Sequence, residues 1–299
     1  MLTMKSLQPL LADIKFSHTV FALPFAFLGA TLAGTLHGAP DWSRFAIQLQ
    51  FVLICMILAR TSAMLRNRIL DRNIDKTNPR TAQRALPSGK VSTKTALILS
   101  NIVELLFVAS TSMFGFLWDN WLPLILSVPI LGWLCVYPLL KRFTWLCHIF
   151  LGASLALSPV AAATAIAPET LSHLPIWLLS GAVLCWVAGF DIIYALQDVD
   201  CDKRDNLKSM PASLGVKPAM LISQCLHCIC IALLFGVAIS DTRFGWLFQA
   251  AIILAAMLLI VEHLTVKKWG TTKIALTFFT LNGIVSLVLG GAGVLDLLC

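Results

Sequence analysis

Charge is what this 299-residue chain has least of: Asp, Glu, Lys and Arg together make up 12% of it, against about 25% in soluble domains. Tyrosine is scarcer still, with two residues, and only 15 carboxylates are present. With 58% hydrophobic residues and a mean hydropathy of +0.85, a freely soluble globular domain is excluded, and the chain reads as an all-α integral membrane protein. No His/Cys ligand set of the kind that soft metals require is visible. The net charge of +7 does not call for nucleic acid, because the basic residues are distributed as membrane topology requires.

Windows long enough to cross about 30 Å of hydrocarbon are centred near Phe27, Cys55, Glu104, Leu126, Ala156, Cys185, Ala232, Ala255 and Ser286. Nine spans occupy most of residues 1–299, so a single transmembrane domain is expected, with no separate soluble one. The first run follows a polar start (Lys5, Asp13, Lys15, His18) without a small-residue cleavage site, and is read as a retained helix. With the N-terminus cytoplasmic, 19 of the 22 Lys and Arg residues fall on inner segments, leaving only Arg44 and Arg243 outside and Arg60 within a span. That asymmetry predicts a cytoplasmic N-terminus and an external C-terminus. Eight of the nine cysteines lie in apolar spans or at their ends, and none is expected to be bridged. "CLHCIC" around His227 superficially suggests a redox or metal pair, but it reads as helix packing.

The scarce charge is concentrated. "RNRILDRNIDKTNPRT", residues 66 to 81, carries Asn67, Asp71 and Asp75 among basic residues, and "DIIYALQDVDCDKRDNLKS", residues 191 to 209, carries Tyr194, Asp198 and Asp202 at a constant offset of 127 residues. The two stretches end the second and sixth spans, an even number of crossings apart, so both open on the same side of the membrane. At 100° per residue, Arg60, Met64, Asn67 and Asp71 share one stripe, with Asp75 continuing it, and Asp191, Tyr194, Asp198 and Asp202 share another on the sixth helix.

Acidic groups gathered around one cavity need a cation between them. Oxygen-only donors favour a hard ion, Mg²⁺ before Ca²⁺ or Zn²⁺, and Mg²⁺ is typically held by one or two carboxylates while it contacts substrate phosphates. Arg68, Arg72, Arg80, Arg84, Lys141 and Arg142 are then expected to cover the remaining charge of a diphosphate. The plainer alternative, a solvated loop beside a span, explains one such stretch better than two with matched spacing. Arg60 lies about 10 Å up-helix from Asn67 at 1.5 Å per residue, within the hydrocarbon. It is read either as the anchor of an anionic acceptor or as half of an internal ion pair with Glu104.

"NRILDRNIDKTNPRT", "RALPSGKVS", "YPLLKRFTWLCHIFLG" and "DIIYALQDVDCD" together resemble the UbiA superfamily of intramembrane prenyltransferases, over most of the chain and in the same order. The resemblance implies nine helices around a central cavity with cytoplasmic cap loops. It also implies Mg²⁺-dependent transfer of a prenyl group from a polyprenyl diphosphate to an aromatic ring in quinone biosynthesis. Asn67, Asp71, Asp75, Asp198 and Asp202 would take the metal and diphosphate roles, and Arg60 matches the arginine of the aromatic-acid branch. Asp191 is the candidate for polarising the acceptor or taking the ring proton, and Tyr194 for orienting the acceptor or the diphosphate. Helix-to-helix hydrogen bonding is the alternative for both. The expected acceptor is 4-hydroxybenzoate. The first helix, "IKFSHTVFALPFAFLGA", instead resembles relatives assigned to the futalosine route to menaquinone, which keeps an aminobenzoate-type acceptor open. A secondary transporter is the rival from another class.

Overall fold

The computed structural model describes residues 4–14, 21–274 and 276–299, and among them every regular element is helical. Lys15 and His18 of the polar start, and the side chain of Lys5, lie outside the described residues. A short amphipathic helix, α1 (Met4–Ile14), precedes α2 (Leu23–Gly34), α3 (Trp42–Thr77), α4 (Thr93–Trp118) and α5 (Leu122–Val136), the last running on into a 3₁₀ stretch, Tyr137–Arg142. Then come α6 (Cys147–Ile166), α7 (Leu174–Ala195), two short helices α8 (Val199–Arg204) and α9 (Met210–Leu214), α10 (Val216–Ser240), α11 (Trp246–Trp269) and α12 (Asn282–Leu298). Among the described residues eight helical segments are long and apolar enough to cross a membrane. The shorter α2 occupies the first predicted span, so each of the nine sequence windows falls on an apolar helix.

Local chemistry sets the boundaries. Asp41 caps α3 by accepting from the Ser43 and Arg44 amides at 3.0 and 3.3 Å, and Ser92 caps α4 by accepting from the Thr95 amide at 3.1 Å. Pro24, Pro123 and Pro175 stand in the first turns of α2, α5 and α7, where a missing N–H costs nothing. In α7, 67% of the apolar window is buried, against 17% in α5. The first is therefore the central post of the bundle and the second a lipid-facing wall. Trp186, Phe190, Val183 and Leu179 of α7 meet Phe21, Phe25 and Phe248 in the main apolar core. Small residues bring backbones together: a Cβ on Gly29 would overlap the Pro159 backbone, and one on Gly152 the Leu184 carbonyl.

At 1.5 Å per residue the 36 residues of α3 extend about 54 Å, well past the hydrocarbon thickness of about 30 Å. Arg60 therefore stays at membrane depth while Asp71 and Asp75 stand beyond it. All nine cysteines are free thiols, and Cys225 and Cys228 face outward from α10. Between them His227 turns inward and bonds His263 at 2.9 Å and the Trp186 carbonyl at 3.3 Å.

Candidate active site

The last turns of α3 bring one acidic stripe to the mouth of the bundle. Asn67 donates to Asp71 at 3.3 Å, as residues four apart on a helix can. Asp71 is 3% exposed and Asp75 6%, so neither tolerates its charge alone. Lys141 Nζ sits 2.5 Å from Asp71 Oδ2, and Arg142 lies 3.5 Å from Oδ1 while donating to the Leu70 carbonyl at 2.7 Å. Arg84 Nη1 reaches both oxygens of Asp75 at 2.9 Å.

The second stretch arrives at the same mouth by a different local route. The expectation of one continuous stripe on the sixth helix fails. The chain leaves α7 after Ala195, turns through Leu196 and Gln197, and restarts at α8 with Asp198 at its N-cap position. Asp191 and Tyr194 belong to α7, Asp202 to α8, and the turn re-aims the two later carboxylates. The Asp202 amide still donates to the Asp198 carbonyl at 2.7 Å. Burial, together with the Asp198 carboxylate, pushes the Asp202 carboxyl above its ordinary range.

Arg80 joins the two stretches. Its Nε and Nη2 grip Asp198 at 3.1 and 2.6 Å, and its Nη1 donates to the Tyr194 hydroxyl at 3.0 Å. Asn78 adds a 3.0 Å bond to Asp198, and Arg204 reaches the Thr77 carbonyl at 3.0 Å. Arg68 donates to Asn67 at 2.9 Å, but its buried Nε has no hydrogen-bond partner. Arg72 does not join the cluster as expected. One position past Asp71 it is rotated 100° around the helix, is exposed, and bonds the Ile69 carbonyl at 3.0 Å.

Below the mouth lies a cavity of about 280 Å³, lined mostly by apolar side chains, with Arg60, Tyr137, Ser154 and Asp191 among its few polar ones. Arg60 Nη2 donates to the Ile14 carbonyl at the end of α1 at 3.3 Å. Glu104 is not its counter-ion. That carboxylate binds Arg66 through two 2.7 Å bonds and accepts from Ser62 and Ser100 at 2.9 Å. Ser62 and Arg66 are one turn apart on the face toward α4, whereas Arg60 is 200° from Ser62 and looks into the cavity. Tyr137 and His148 were missed by the sequence reading. Both stand in the segment "YPLLKRFTWLCHIFLG"; the signal was a second tyrosine among only two, and a histidine inside an apolar run.

The donor set suits a hard divalent cation: carboxylate and amide oxygens, with no thiolate or imidazole among Asn67, Asp71, Asp75, Asp198 and Asp202. No three His, Cys, Asp or Glu side chains converge into an all-protein cage among the described residues. An ion held by one or two carboxylates together with substrate phosphates does not require such a cage. The partnerless Arg68 Nε beside it marks a place for anion oxygen.

Compared with known proteins, residues 22–284 match the model of the UbiA prenyltransferase family. The chain belongs to that family and is a multi-pass membrane protein. It is 31% identical over 251 residues to a 4-hydroxybenzoate octaprenyltransferase of Paracidovorax citrulli, covering 82% of this chain and 78% of that one. To the protein of the same name from Saccharophagus degradans it is 32% identical over 238 residues, covering 77% and 73%. The apo structure of a UbiA homologue from Aeropyrum pernix K1 superposes with a TM-score of 0.81 at 31% identity, over 94% of this chain and 98% of that one. A UbiA homologue from Archaeoglobus fulgidus, solved bound to DMAPP and Mg²⁺, shares the fold with a TM-score of 0.73 at 17% identity, over 98% and 99%.

Proposed function

We propose that this protein transfers a polyprenyl group from a polyprenyl diphosphate to an aromatic acid in quinone biosynthesis, with 4-hydroxybenzoate as acceptor. The observation that carries the reading is the convergence of two acid-and-base stretches, distant in sequence, at the mouth of one apolar intramembrane cavity with a cation at its depth. The names of the curated relatives support the acceptor, and an aminobenzoate-type acid remains the second candidate.

Asn67, Asp71, Asp75, Asp198 and Asp202 would hold Mg²⁺ with the diphosphate. The bound ion supplies positive charge against the charge developing on the departing group. Arg68, Arg80, Arg84, Lys141 and Arg142 take up the other diphosphate oxygens. Arg60 pairs with the acceptor carboxylate inside the bilayer, where a charge-assisted bond gains strength from the low dielectric. The apolar walls exclude water from the allylic cation and admit a long isoprenoid tail from the lipid side. The mouth faces the cytoplasm, and the protein sits in the cell (inner) membrane.

Membranes containing the protein, given labelled polyprenyl diphosphate, Mg²⁺ and a panel of aromatic acids, test this. Conversion of one acid to a lipid-extractable product supports the reading. Accumulation of an unmodified acid inside sealed vesicles indicates a transporter instead.

A further inference from the structure

Asp191 and His148 form a hydrogen-bonded pair at the edge of the cavity, with His148 Nδ1 2.7 Å from Asp191 Oδ2. The other imidazole nitrogen, Nε2, accepts the Met210 amide N–H at 3.2 Å. An amide N–H only donates, so Nε2 carries the lone pair, and the tautomer assigned from these partners is the one with its hydrogen on Nδ1. His148 is 4% exposed and Met210 1%. The segment bearing Met210 is seated on an apolar cluster of Ile192, Met210 and Ala219. The Lys208 amide, two residues before it, donates to the Lys141 carbonyl at 2.6 Å.

We infer that His148 is a positioning residue for Asp191, holding one carboxylate oxygen so that the other faces the acceptor as the base of the transfer. The inference rests on the prenyl-transfer reading and deepens it. In the step itself the prenyl C1–O bond breaks and its electron pair leaves with the diphosphate. A π pair of the ring forms the new C–C bond. The proton on the attacked carbon passes to Asp191 Oδ1, and the C–H pair restores the aromatic ring. His148 cannot relay that proton onward through Nε2, because the Met210 N–H occupies it; the neutral carboxyl loses the proton to water after product release. The base is thus aimed by the same segment that touches the Lys141 backbone at the mouth.

Purified full-length protein in nanodiscs, assayed with polyprenyl diphosphate, Mg²⁺ and 4-hydroxybenzoate, provides the test. His148→Phe should lower kcat about 10- to 100-fold, part of the 10²–10⁴ that a placed base contributes, while the KM for prenyl diphosphate stays within about 2-fold. His148→Asn puts an amide N–H near the place of Nδ1 and should keep kcat within about 5-fold of the parent, since the bond to Asp191 is retained. His148→Phe in an Asp191→Ala background should cost nothing further. The inference is overturned by unchanged kcat in His148→Phe, by His148→Asn as slow as His148→Phe, or by additive losses in the double variant. Should His148→Phe not fold, His148→Asn faster than His148→Gln supports the inference and any other order overturns it. Parent protein that forms no prenylated acid with any acid of the panel overturns the prenyl-transfer reading itself, separately from the role of His148.

Discussion

Lys141 and Asp71, 70 residues apart in sequence, meet at 2.5 Å at a carboxylate whose side chain is 4% exposed. A lysine so placed supplies positive charge that the buried Asp71 carboxylate requires, and offsets the repulsion among the acids at the mouth. Lys141→Ala removes that compensation and leaves Asp71 with Arg142 at 3.5 Å. Thermal stability should fall, because an uncompensated buried charge is costly, and the KM for prenyl diphosphate should rise about 10-fold, the arithmetic of about 1.5 kcal/mol for one charge-assisted contact. Adding Asp71→Asn should restore the melting temperature without restoring activity.

Removing either carboxylate at the matched positions should disable transfer without unfolding the protein. Asp71→Asn and Asp198→Asn are each expected to lower turnover about 100-fold or more, the scale on which one pre-placed electrostatic partner acts. EDTA should abolish activity and Mg²⁺ restore it, with Ca²⁺ a poorer substitute because it prefers a larger and less regular shell. Isothermal titration of prenyl diphosphate with and without Mg²⁺ gives a readout independent of turnover.

Arg60 and Glu104 are expected to separate cleanly. Arg60→Ala should raise the acceptor KM about 30- to 1000-fold, the arithmetic of roughly 2 to 4 kcal/mol for a charge-assisted bond and part of an unpaired-charge penalty. The prenyl diphosphate KM should stay near its parent value, and Arg60→Lys should rescue only partly. Glu104→Gln breaks the Arg66 pair instead, and should lower the melting temperature with no selective effect on the acceptor.

Periodicity made part of this site legible. Asn67, Asp71 and Asp75 lie on an uninterrupted helix, so counting at 100° placed them correctly, as it placed Arg60 toward the interior. The same counting failed past Ala195, because a chain that can leave a helix in two residues re-aims everything after it. Partners distant in sequence were invisible for a different reason. Arg80 to Asp198 spans 118 residues and His148 to Met210 spans 62, and such contacts follow from helix packing that no local pattern specifies. The alternative that paired Arg60 with Glu104 is excluded by Arg66, which takes that carboxylate; reach along the sequence says nothing of which face of α3 meets α4.

At the opposite end of the bundle Asp241 clasps Arg243, with its shortest bond at 2.6 Å, and Arg243 in turn donates to the Leu32 carbonyl at 3.2 Å and to Thr35 at 2.8 Å. Burial opposes the Asp241 charge, but the bonds from Arg243 outweigh it and hold the carboxyl below its ordinary value of 3.8. A depressed carboxylate contributes stability above its unfolded-state pKa and loses it as pH falls through the folded value. Asp241→Asn should therefore cost about 0.5 to 1 kcal/mol near neutral pH. The gap in melting temperature to the parent should close below about pH 4.

A reporter fused after Cys299 should read as external and one placed in the 76–90 loop as cytoplasmic. Opposite labels would put the acid-lined mouth on the wrong side for a cytoplasmic prenyl diphosphate.

The most direct test of the central claim is product stoichiometry from purified protein supplied with Mg²⁺, a polyprenyl diphosphate and the preferred aromatic acid. The account predicts one inorganic diphosphate released for each ring product, whose mass equals the acid plus the polyprenyl group less one hydrogen. Diphosphate released with only prenyl alcohol formed, or acid recovered unchanged under every condition, would contradict it.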